Sequence, residues 1–63
     1  MNYKQFHIGE YTITQYANGD VRAEDKAGSV RMSSHYDVPI SGFEAWKIVK
    51  TIKRLEDDNK RNG

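Results

Sequence analysis

Residues 41–55 read SGFEAWKIVKTIKRL, the one stretch of the chain with both a helical period and a start signal of its own. Ser41 and Glu44 stand in S-x-x-E spacing, in which each side chain can take a free backbone N–H of the other at a helix start. Ile40, just before the cap, can pack onto Ala45 one turn further in. At about 100° per residue, Ala45, Ile48, Val49, Ile52 and Leu55 fall on one stripe, the pattern of a buried helical face. Phe43, Lys47, Lys50 and Arg54 occupy the opposite side, with Trp46 and Lys53 on its flank. After Leu55 the run Glu56-Asp57-Asp58 meets the helix end where the dipole disfavours negative charge. The helix is therefore expected to fray there, leaving residues 59–63, NKRNG, as a flexible polar tail beyond a single domain of residues 1–58.

Working back from the helix, residues 3–38 alternate β-branched and aromatic residues with polar ones between three Gly-containing breaks, which predicts an antiparallel meander. A two-residue Gly9-Glu10 turn pairs Ile8 with Tyr11 and Phe6 with Ile13. At the second break, a three-residue Ala17-Asn18-Gly19 loop with Gly19 left-handed keeps Ile13 opposite Ala23 and Val21 beside Gln15, whereas a two-residue loop would turn the apolar face over. Asp25-Lys26-Ala27-Gly28 has the residue preferences of a type I turn; as a four-residue loop it pairs Ala23 with Val30 and Val21 with Met32. Phe6, Ile8, Tyr11, Ile13, Val21, Ala23, Val30 and Met32 then share the face that receives the helix stripe. Pro39 should end the fourth strand at Val38. The expected fold is α+β, a four-stranded antiparallel meander packed on one C-terminal helix.

Composition narrows the function. With 63 residues and no cysteine, the chain is one small domain without disulfides, thiol nucleophiles or Cys-based zinc sites, hard to carve into an ordinary enzyme cleft. No apolar run approaches a membrane span, and the N-terminus MNYKQFHIGEY lacks the apolar core of a signal peptide, so a cytoplasmic protein with no membrane partner is expected. The net charge of +1 is too balanced to argue for nucleic acid by itself. Ser33, His35 and Asp37 lie at i, i+2, i+4, but neighbours on one strand face stand roughly 6.5–7 Å apart, too far for a catalytic triad. His7 and His35 lack metal-site spacing, and no Gly pattern suggests a phosphate loop. Neither catalysis nor a metal or cofactor is expected.

Two surfaces remain for binding. The same registers place Tyr3 beside Tyr16 and line up Gln5, Thr14, Arg22 and Arg31 across the outer sheet face. Arg22 directly opposite Arg31 is costly unless solvent or an anionic partner lies between them. The second surface is the helix side with Phe43, Trp46, Lys47, Lys50 and Arg54, where aromatics beside cations suit an acidic protein or nucleic acid. Trp46 could instead fold over the sheet rim, and Phe43 could be covered by Tyr36 or the Pro39 loop. The long fourth strand, an edge of the meander, could add a strand from a target or from a second copy, which leaves room for a homodimer.

In order of elements, YTITQYANGDVRAED, SVRM and the helix from Ser41, about residues 11–55, resemble the arm-type DNA-binding domain of phage and transposon integrases and the related plant AP2 domain. The resemblance implies a sheet face in the major groove, with the contacts falling on Thr14, Arg22 and Arg31. Asp20, Glu24 and Asp25 in the middle strands depart from the basic character of that family. A non-enzymatic binding module is therefore expected, an inhibitor or adaptor of phage or mobile-element type acting on a host factor with an acidic surface. A DNA-binding protein of arm-type architecture is the alternative.

Overall fold

The computed structural model describes residues 4–62. Four antiparallel strands, β1 (Lys4–Ile8), β2 (Tyr11–Gln15), β3 (Asp20–Glu24) and β4 (Val30–His35), form one sheet in that spatial order, and a single helix, α1 (Gly42–Asn62), follows them. This is the expected α+β meander with its C-terminal helix. Tyr3 lies outside the described residues, as does Gly63.

The first two hairpins take the expected registers. Gly9 has φ +60°, and Ile8 faces Tyr11 while Phe6 faces Ile13. In the second, Ile13 faces Ala23 and Gln15 faces Val21. Gly19 closes that loop at φ +94°, and a Cβ there would stand 2.6 Å from the carbonyl oxygen of Tyr36. Both the backbone angle and the close approach therefore require glycine.

The third hairpin differs from the expectation. Asp25 N–H donates to Ser29 O at 3.0 Å, so the loop is the three residues Lys26–Ala27–Gly28, one shorter than expected. The cause is the Asp25 carboxylate, whose Oδ1 accepts from the N–H groups of both Ala27 (2.9 Å) and Ser29 (3.0 Å). That shift alone would turn β4 over, but a bulge then restores the apolar face: Glu24 faces Val30, Ala23 faces Met32, and Arg31 is the extra residue. Met32 keeps its place on the helix side, while Val30 goes to the outer side, 51% exposed. Arg22 faces Ser33, not Arg31, and Val21 faces Ser34. The bulge also disturbs the β4 edge, which discourages a further strand there.

Ile13, Val21 and Ala23 from the sheet meet Ile40, Ala45, Ile48, Val49 and Ile52, and Phe6, Ile8, Tyr11, Met32 and Tyr36 border them. Burying each of the larger aliphatic side chains contributes about 1.5–3 kcal/mol. Ser41 Oγ accepts from Glu44 N–H at 3.3 Å, and Ile40 and Ala45, on either side of the cap, are both buried.

Two expected boundaries and one expected facing change. β4 ends at His35 rather than Val38, because the chain beyond it is drawn under the sheet end by Gln15. Leu55 is 54% exposed, and Glu56 takes the next place on the buried stripe, one turn after Ile52. The helix continues past Leu55 to Asn62, through the segment read as a polar tail. Glu56 is held there by Arg31 and Tyr11, which offsets the unfavourable dipole, and Lys60 follows it at the helix-supporting i, i+4 spacing.

Candidate functional site

On the outer face of α1, Phe43 and Trp46 are 64% and 45% exposed, and their rings stack with centroids 6.0 Å apart and planes inclined by 22°. Lys47 Nζ stands 5.2 Å from the Phe43 ring centroid, and Lys50 Nζ 4.7 Å from that of Trp46. Helical geometry makes these pairs: residues three and four apart are neighbours on the surface, so 43 meets 46 and 47, and 46 meets 50. Each exposed cation–π contact contributes about 0.5–1 kcal/mol, enough to bias the side chains toward one arrangement. The result is an aromatic platform rimmed by ammonium groups. Arg54 is exposed on the same ridge, one turn beyond Lys50. Neither Trp46 nor Phe43 is covered by the sheet rim, Tyr36 or the Pro39 loop.

The outer sheet face does not assemble as expected. Gln5 Nε2 donates to Thr14 Oγ1 at 3.3 Å, and Thr14 is buried beneath its neighbours. The Arg22 guanidinium lies 5.2 Å from the Tyr16 ring centroid. Arg31 has left this face: its guanidinium reaches Glu56 at 2.7 Å and Asp25 at 3.6 Å. Of the residues read as binding, Phe43, Trp46, Lys47 and Lys50 come together with Arg54 in line, Gln5, Thr14 and Arg22 lie across the molecule, and Arg31 belongs to neither group.

Three arrangements escaped the sequence reading. Gln15, 6% exposed at the sheet end, donates to Val38 O (2.9 Å) and Tyr36 O (3.4 Å) and accepts from Ile40 N–H (2.8 Å), fixing the linker that leads into the helix cap. A polar residue at an inward position of a central strand was the available signal, since a buried amide demands partners. Tyr11 O–H donates to Glu56 at 3.3 Å, and partial burial first, then the Glu56 charge, pushes its phenol pKa up.

The third is a cluster at the sheet end. His35 Nδ1 lies 3.0 Å from Asp20 Oδ1, and Nε2 lies 3.2 Å from Asp37 Oδ1. The bond to Asp20 and then that to Asp37 raise the histidine pKa, while the bond from His35 and then that from Asn18 lower that of Asp20. His35 and Asp37 come closer than the spacing along a strand allows because β4 stops at His35 and the chain bends back. With both ring nitrogens on carboxylates, none is left for Ser33, so no triad forms. Among the described residues, no group of three or more His, Asp or Glu could hold a metal ion, and no helix is long and apolar enough to cross a membrane.

A cleft of about 460 Å³ opens beside this cluster, between Tyr16 and Asn18 on one side and Asp37, Val38 and Pro39 on the other. In comparisons with known proteins, the chain matches no protein family, no curated protein and no solved structure.

Proposed function

We propose that the chain is a non-enzymatic binding module that engages an acidic protein surface through the outer face of α1. The observation that carries this reading is the exposed Phe43–Trp46 stack with Lys47 and Lys50 drawn over its rings. Trp-centred patches concentrate binding energy, and ammonium groups around a dry aromatic centre select carboxylates at the rim. The outer sheet face supports duplex binding less well, because Arg31 is neutralised by Glu56 and Asp25 and Arg22 stands alone beside Asp20 and Glu24. The mapping of major-groove contacts onto Thr14, Arg22 and Arg31 thereby loses one of its two cations. Small size supports the role of inhibitor or adaptor, of phage or mobile-element type, acting in the cytoplasm on a host factor.

The test is capture from nuclease-treated lysate of the native host by the parent chain and two variants. A protein that binds the parent, is lost with Lys47→Glu/Lys50→Glu and is retained with Arg22→Glu supports the reading. Capture that nuclease abolishes, with an affinity falling roughly 10- to 1,000-fold between low and physiological salt, would replace it with nucleic-acid binding.

A further inference from the structure

We propose that His35 is a proton-operated clasp that pins one wall of the cleft beside Tyr16 and Tyr36 when its ring is protonated and releases that wall when the ring is neutral. Both ring nitrogens face carboxylate oxygens, Asp20 Oδ1 at 3.0 Å and Asp37 Oδ1 at 3.2 Å. An ionised carboxylate only accepts, so two such bonds require two N–H groups, which the imidazolium has and neutral imidazole does not. Loss of the proton sets a nitrogen lone pair against an anionic oxygen, and one carboxylate must move away.

Asp37 is the one released. Asp20 belongs to β3, its Oδ2 accepts from Asn18 Nδ2 at 3.2 Å, and its own N–H donates to Asn18 Oδ1 at 3.0 Å. The Asp37 side chain is 93% exposed and sits in the linker between β4 and α1. Asp37, Val38 and Pro39 form a wall of the cleft, so the proton on His35 sets whether that wall is tied to the sheet. The ring lies against Gly19, where a Cβ would stand 2.9 Å from His35 Cε1. Among the described residues, the charged groups around the ring are Asp20 and Arg22 from β3 and Asp37 from the linker; Lys4 of β1 lines the same cleft. The β2–β3 loop adds Asn18 and Gly19, which are uncharged, and the hydroxyl-bearing Tyr16 and Tyr36 line the cleft beside them. Gln15 keeps its bonds to Tyr36 O and Val38 O in either state, so the movement is confined to Asp37 and the outer part of the wall.

NMR of the whole chain from about pH 5 to about pH 9 tests this without a substitution. The His35 ring should titrate above the ordinary histidine value of about 6.5. Through that midpoint, the backbone order parameter at Asp37 should fall from about 0.85 toward about 0.6, while those of Asp20 and of Val38, held by Gln15, stay unchanged. Asp37→Asn should lower the His35 midpoint and uncouple the linker from it. Order at Asp37 that stays constant through the His35 titration, or an Asp37→Asn variant with an unchanged midpoint, would overturn the proposal.

Discussion

Arg31 Nη2 lies 2.7 Å from Glu56 Oε2, so a residue that strict alternation assigns to the outer sheet face grips the helix on the inner one. The pair joins the edge strand to the turn of α1 that continues past the apolar stripe. Both side chains are more than one-third exposed, so the bond is a partly screened one. A double-mutant cycle with Arg31→Ala and Glu56→Ala should give a coupling of about 0.2–1 kcal/mol in thermal melts, shrinking at high salt. No coupling would mean that the two side chains act independently in solution.

Gln15 is the polar residue on which the linker depends. Gln15→Leu should cost about 1–3 kcal/mol, because the Ile40 N–H loses its acceptor in a buried position. The loss should also shorten the protection of that amide in hydrogen exchange. A variant as stable as the parent would show that water or a rearranged linker meets the same need.

The helix stripe gives a paired comparison. Ile52→Ala should destabilise by about 2–5 kcal/mol, a large-to-small loss in the core. Leu55→Ala should stay within about 0.5 kcal/mol, since that side chain is exposed. Equal losses in chemical denaturation would contradict the placement of Glu56, rather than Leu55, on the buried side.

Much of this fold is legible in the residues. The S-x-x-E start, the spacing of Ala45, Ile48, Val49 and Ile52, and the glycines at the first two turns each encode local geometry that tertiary contacts leave unaltered. The third hairpin is illegible by the same means, because two one-residue shifts cancel in the apolar pattern and only the Asp25 carboxylate decides the loop. Alternation could therefore place Met32 correctly while misplacing Val30 and Arg31. Leu55 and Glu56 are reversed for a related reason: the helix wheel allows either, and the choice falls to Arg31 and Tyr11, far away in sequence. The binding residues on the helix were readable from i, i+3 and i, i+4 spacing. Those on the sheet depended on a register that the bulge changed.

The pH dependence of folding follows from opposite shifts in one pair. The raised His35 pKa gives a contribution fully present below the unfolded value of about 6.5 and lost as pH rises through the folded value. The lowered Asp20 pKa gives one present above about 3.9 and lost as pH falls through its folded value. Their joint contribution should be greatest between about pH 4 and about pH 6.5. His35→Gln should flatten the alkaline side of a melting-temperature profile; an unchanged profile would remove His35 from the balance.

Trp46 is the single tryptophan of the chain, so once the titrant's own fluorescence is subtracted its emission reports on the proposed interface. The decisive measurement is titration of the parent chain with the protein captured from nuclease-treated lysate, followed at the Trp46 emission. A saturable blue shift is expected as the ring is buried, abolished by Lys47→Glu/Lys50→Glu and preserved in Arg22→Glu. Binding of full affinity that leaves the Trp46 emission unmoved, or that survives the double lysine substitution, would contradict it and place the interface elsewhere on the molecule.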